Sequence, residues 1–138
     1  MINSLFLGFL GIAFPTCVSV NHIICHFSPL PSDTEGSEIL KNGEVVKIQL
    51  GTQIDGFAAI VATTIVIGAS KEKPIKGRLA DLLTAAHLAS EAALRLIKPG
   101  LDNMNVTHTI QKIAKAFDTN SVEGMNVIYI YFFFIEKY

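Results

Sequence analysis

A surplus of either charge is missing from these 138 residues: 11 Lys and Arg stand against 12 Asp and Glu, for a formal net charge of −1. Composition therefore supplies no electrostatic footprint for nucleic acid. Cysteine is scarce, at two residues, Cys17 and Cys25. In one extended strand they stand about 26 Å apart at ~3.3 Å per residue. That excludes a bridge between them, since a disulfide needs Cα atoms within ~7 Å. Reduced, buried thiols in a cytosolic chain are the expectation. No Ser-His-Asp order, P-loop, CxxC pair or glycine-rich nucleotide loop occurs. His22 reads as a loop or strand-surface residue. His87 and His108 fall on expected helices with no carboxylate or cysteine at ligand spacing, so neither takes a metal role.

A membrane-spanning run is missing too. Met1 to Phe14 has the length of a signal-peptide core, but no Lys or Arg precedes it and no clean small-x-small cleavage site follows. At ~14 residues it is shorter than the ~20 that a bilayer requires. Asn126 to Tyr138 (NVIYIYFFFIEKY) holds all three tyrosines of the chain. Its residue types are mostly those of A/T-rich codons, so it reads as translated non-coding sequence after a splice error. The alternative is a genuine strand or hydrophobic anchor. On either reading it is an aggregation liability.

Between those ends the text is ordinary globular sequence of one-domain length. Val45 to Gln53 and Phe57 to Ile67 are β-branched and aliphatic runs, and the Asp55-Gly56 pair between them predicts a hairpin turn. Val46, Ile48, Leu50 and Ile54 share one parity and are expected to reach the core, with Lys47, Gln49 and Gln53 on the other face. Cys17 to Phe27 is expected to supply a third strand, ended by Pro29 and Pro31. Ser32 to Gly43 and Lys71 to Gly77 read as surface loops. From Arg78 to Ile97, residues Leu79, Leu82, Leu83, Ala86, Ser90, Ala93, Leu94 and Ile97 follow the spacing of a buried helix stripe. Lys98, Pro99 and Gly100 stop it. A second helix is expected from about Val106 to Phe117, with Val106, Ile110, Ile113, Ala114 and Phe117 inward. An antiparallel sheet covered by two helices is an α+β arrangement.

Particular strings within this frame carry a resemblance. The AFPT start, the SVN-x-x-x-C-H segment and the KI-x-LG…DG-F hairpin resemble the creatinase/methionine aminopeptidase ("pita-bread") superfamily. GIAFPTCVSVN, CHFSPL, HLASEAALRLIKPG and the late Glu123-Gly124-Met125 resemble, within it, the proliferation-associated proteins, non-peptidase relatives of type 2 methionine aminopeptidase. The resemblance covers residues 11–125. It implies the first half of a duplicated fold, flanked by a non-family apolar start at 1–10 and a non-family apolar tail at 126–138.

The resemblance also implies where chemistry would sit. Peptidases of the superfamily hold two divalent metals with carboxylates and one histidine, and a water shared between the metals is the nucleophile. Two of those carboxylates are aspartates eleven residues apart on the hairpin, expected to face each other across adjacent strands. The matching positions here are Gln49, a weak ligand, and Ile60, which is none. The chain is thus expected to have no catalytic residues, no metal and no cofactor. Asp55, the only carboxylate of the hairpin, reads as a turn residue. His26 matches a histidine that contacts the substrate in the peptidases, and stands as a vestigial pocket position or a structural strand histidine.

The function implied is that of a non-catalytic interaction protein that binds RNA, ribosomes or protein partners in cytoplasm and nucleus, including the nucleolus. Self-association through the exposed half-fold is a further expectation. The only basic cluster is Lys71, Lys73, Lys76 and Arg78, either a solvated loop or a contact for RNA. A metal-dependent methionine aminopeptidase is the alternative, opposed by Gln49 and Ile60. A secreted or membrane-attached fragment is a third, resting on the apolar ends alone.

Overall fold

A computed structural model describes residues 10–33, 39–122 and 134–136. The expectations for the first nine residues and for most of Asn126 to Tyr138 lie outside them. The chain divides into two units, Met1–Ile67 and Gly68–Tyr138.

The first unit is a three-stranded antiparallel sheet in the order β1 (Leu10–Val20), β2 (Val45–Ile54), β3 (Phe57–Val66). Asp55 (φ 51°) and Gly56 (φ 84°) both take positive φ, as a type I′ two-residue turn requires. Ile54 pairs with Phe57 across it, and the Gln53 side-chain oxygen accepts from the Gly56 N–H at 2.7 Å. The hairpin forms as the Asp-Gly pair predicts.

The first strand departs from expectation. It begins at Leu10 and ends at Val20 rather than running from Cys17 to Phe27. Pro15 cannot donate to a ladder, and the register shifts on either side of Phe14 absorb it as bulges on an edge strand. After Val20 the chain turns back. Asn21 adopts φ 48°, a conformation that Asn tolerates better than most residues. The Ile23 N–H donates to the Val20 carbonyl at 3.0 Å and the Val18 N–H to the Phe27 carbonyl at 2.8 Å. His22–His26 is therefore a reversal folded against β1, and His26 is a loop residue.

Sheet parity holds as predicted, but the buried side is not the one expected. Val46 is buried, whereas Leu50 is 43% exposed and Ile54 53% exposed. Of the opposite parity, Lys47 and Gln49 are buried, as are Cys17 and Ser19, their register partners on β1.

The second unit contains α1 (Arg78–Leu96), α2 (Asn103–Ala116) and a two-stranded pairing of β4 (Thr119–Ser121) with β5 (Phe134–Glu136). Asp102 caps α2, its carboxylate accepting from the Met104 N–H at 2.9 Å. That starts the helix before the first apolar position, a common use of Asp. Ala85, Ala86, Ala89 and Ala114 form the core between the helices, with Leu82, Ile110, Ile113 and Phe117 packed on it. The small residues let the two helices approach closely. Leu94 and Ile97, expected inward, are exposed, because the buried stripe follows Ala85, Ala89 and Ala93.

Candidate functional site

The two positions where the resemblance places metal ligands lie on the same face of the hairpin but not opposite each other. Gln49 pairs with Cys17 on β1 and Ala62 on β3, and Ile60 pairs with Gly51. The turn at Asp55–Gly56 fixes that register, so Gln49 and Ile60 are diagonal neighbours, separated by about 7–8 Å between Cα atoms in such a ladder. Ile60 lies over Gly51: a Cβ placed there would come within 3.1 Å of Ile60 Cγ1 and 2.8 Å of Phe14 Cβ. Phe14 in turn stacks on His26, with ring centroids 5.4 Å apart at 50°. The sheet and the reversal thus bring His26, Phe14, Gly51, Ile60 and Gln49 onto one side of the hairpin.

Gln49 is 1% exposed, and among the described residues neither Nε2 nor Oε1 of its side chain has a hydrogen-bond partner. A buried amide left in this state costs about 1–3 kcal/mol. Ile60 is partly exposed. Among the described residues, no group of three or more His, Cys, Asp and Glu lies where a metal ion could be held. The donors present do not fit a pair of divalent cations, which need several anionic oxygens.

Beside Gln49 on the same face is a polar cluster that periodicity did not reveal. Lys47 donates from Nζ to the Asn21 carbonyl at 2.7 Å, and Ser19 Oγ accepts from the Phe27 N–H at 3.3 Å. Burial pushes the Lys47 amine below the ordinary lysine value, a shift partly opposed by Cys25. The Cys25 thiol is raised by burial and by Cys17, with Lys47 acting the other way, and burial alone raises Cys17. Cys25 is therefore folded back within electrostatic reach of Cys17 and Lys47, which corrects the 26 Å extended separation. Both cysteines are free thiols, and Cys17 Sγ donates to the Pro15 carbonyl at 3.3 Å. A raised pKa lowers the thiolate fraction available for attack. Both thiols should thus label with iodoacetamide at pH 7.5 more slowly than free cysteine, with buried Cys17 slower than half-buried Cys25, and urea should abolish the difference. Rapid labelling of Cys17 in the folded chain would contradict its burial. The signal that could have located this cluster is Asn21, a lone turn former between two apolar runs.

The basic cluster is not uniform. Lys71, Lys73 and Lys76 are exposed. Arg78 instead donates to the Phe117 carbonyl at 2.7 Å and to the Asp118 carbonyl, and is thereby committed to the end of α2. Glu72 lies among the lysines, accepting from Ser70 Oγ at 2.7 Å, which pulls its carboxyl below the usual value.

An edge strand, a hairpin and two helices in that order make up the first half of the creatinase/aminopeptidase pita-bread fold. The α+β reading of the sequence is borne out. A thermophilic Arx1 structure matches over 88% of this chain and 38% of its own, with TM-score 0.73 and 33% identity. The chain belongs to metallopeptidase family M24, whose family model matches residues 3–132. It is 49% identical over 115 residues to ERBB-3 binding protein 1 of Solanum tuberosum and 50% identical over 115 residues to proliferation-associated protein A of Dictyostelium discoideum. Those matches take in 83% of this chain but only 28% and 29% of the relatives. The chain thus spans under a third of the length of these two relatives. No helix among the described residues is long and apolar enough to cross a membrane.

Proposed function

We propose that this chain is a non-catalytic member of family M24 that acts by binding other macromolecules. The observation that carries the reading is the pair Gln49 and Ile60, one neutral amide and one alkyl group where the peptidases have aspartates. Without anionic oxygens, two divalent cations have nothing to offset their desolvation, and no shared water is activated. His26, stacked on Phe14, is then a vestige of a substrate pocket. The likeness to proteins named for proliferation and for ErbB-3 binding supports protein partners, and ribosome contact is what the family resemblance implies. Family residues 11–125 are the segment we assign to these contacts, in cytoplasm and nucleus. A second copy of the chain is a further partner.

RNA contact, where it occurs, falls to Lys71, Lys73 and Lys76, since Arg78 is engaged elsewhere. Three lysines beside Glu72 give a weak, salt-sensitive attraction.

The test is calorimetric titration with manganese, followed by a methionyl-peptide cleavage assay. The chain should bind no metal at the hairpin and release no methionine. Gln49→Asp with Ile60→Asp should raise metal affinity modestly without producing turnover, because two carboxylates supply charge but not a complete ligand set. Methionine release by the unmodified chain would overturn the non-catalytic reading. Turnover by the double variant would mean that the remaining ligands are already in place.

A further inference from the structure

β3 is an edge strand. Its inner side pairs with β2, and among the described residues no strand pairs with its outer side. Which backbone groups face outward follows from the hairpin. A two-residue turn makes Ile54 and Phe57 a hydrogen-bonded pair. At the far end the Ile67 N–H donates to the Glu44 carbonyl, and the Ile67 carbonyl accepts from the Gly43 N–H, both at 2.9 Å. Odd residues from Phe57 to Ile65 therefore commit both backbone groups to β2. Ala58, Ile60, Ala62, Thr64 and Val66 direct theirs outward.

Edge strands usually carry a lysine, a proline or a bulge that blocks further pairing. β3, FAAIVATTIV, has no charge, no proline and no register shift over ten residues. Phe57 is 83% exposed and Val61 59%.

We infer that β3 pairs antiparallel with β3 of a second copy, about a two-fold axis at Ala62, to make one six-stranded sheet. Symmetry places Ala62 opposite Ala62, Val61 opposite Thr63, Ile60 opposite Thr64 and Phe57 opposite Ile67. No like charges meet, because the strand has none. The flanks favour the antiparallel sense, since Asp55 ends one side of the strand and Lys71, Lys73 and Lys76 follow the other. With Glu72 included, that following segment still has a net positive charge. Along the sequence, the antiparallel sense sets the acid-flanked end of each strand at the lysine-flanked end of the other, whereas a parallel one would align like ends. The β3–β3 contact uses the same edge on both copies, so it is isologous and closes at two. On the outer edge of β1 the reversal meets Val18, which donates to the Phe27 carbonyl.

This inference names the geometry of the second-copy partner and is independent of the non-catalytic reading. A monomer would leave the metal and cleavage results untouched.

The register singles out one pair of positions. Val61 and Thr63 are both exposed, face each other across the axis in a non-hydrogen-bonded pair, and occur twice per dimer. Val61→Lys with Thr63→Lys places like charges in both pairs. Val61→Lys with Thr63→Glu makes both complementary while perturbing the monomer similarly. Sedimentation velocity over a micromolar concentration series should show a concentration-dependent dimer for the unmodified chain. The Lys/Glu variant should retain it, and the Lys/Lys variant should dimerise at least ~10-fold more weakly than the Lys/Glu variant. Hydrogen exchange of the unmodified chain reads the same contact without mutation. Amides of Ala58, Ile60, Ala62, Thr64 and Val66 should slow as concentration rises, while those of Ala59, Val61, Thr63 and Ile65 stay protected throughout. A monomer at all concentrations, equal association by the two variants, or outward amides that ignore concentration would each overturn the pairing.

Discussion

Gln49→Met should stabilise the first unit by about 1–3 kcal/mol, the cost of leaving a buried polar group unpartnered. Methionine has nearly the same length and volume, and it removes two polar atoms that are buried without hydrogen bonds. The measurement is the urea midpoint, followed at the sheet amides by hydrogen exchange so that the first unit is read by itself. Gln49→Asp should do the reverse and destabilise by roughly 3–5 kcal/mol, because a buried carboxylate with no partner loses hydration and regains nothing. Ile60→Asp supplies the contrast. Its site is partly exposed, so the carboxylate keeps much of its water and should cost only about 1 kcal/mol. A loss of stability in Gln49→Met would show that the amide has a partner in solution.

Gly51→Ala should destabilise by about 1–3 kcal/mol, the usual range for an overpacked site. Gly51 opposes Phe14 on β1 and Ile60 on β3, so its missing side chain leaves room where three strands converge. A methyl group there meets Phe14 Cβ at 2.8 Å and the Phe14 backbone nitrogen at 3.1 Å, and backbone cannot rotate out of the way. β1 must then withdraw beside the bulge that already weakens its pairing. A double-mutant cycle with Phe14→Gly, measured by urea denaturation, isolates the effect: coupling should approach half the single-variant cost or more, whereas additive variants would refute the clash.

How much of this was legible depended on whether the signal was local. The β2–β3 hairpin was readable because Asp55 and Gly56 both take positive φ, which few residue pairs tolerate. α2 was readable because Val106, Ile110, Ile113 and Ala114 repeat at helical spacing, and its start was misplaced only because the capping Asp102 lies outside the apolar pattern. The end of β1 was not readable. Ile23, Ile24 and Phe27 extend an apolar run that began at Cys17, and periodicity cannot tell a reversal from a continuing strand when a single Asn marks the turn. That error passed to the face assignment. Once the reversal folds over β1, Lys47 has a carbonyl to bond, and the polar parity becomes the buried one. The positions of Gln49 and Ile60 came from the resemblance. Their diagonal offset follows from the Asp55–Gly56 turn, which pairs Ile54 with Phe57 and so sets Gln49 opposite Ala62 rather than Ile60.

Asn21 binds both ends of a long excursion in the chain. Its N–H donates to the Val45 carbonyl at 2.8 Å and its Oδ1 accepts from the Val45 N–H at 3.0 Å. Its Nδ2 donates to Glu44 Oε1 at 3.2 Å and its carbonyl accepts from Lys47. This knot ties the two ends of the excursion to each other, and the reversal is held to β1 as far as Phe27, so loop length beyond Phe27 is decoupled from strand register. Doubling a closed loop costs only ~0.6 kcal/mol, so the segment is free to lengthen or diverge in sequence while the strands it joins stay fixed. In evolutionary terms, one asparagine allows the loop to change at its own rate, apart from the sheet on which it is tied.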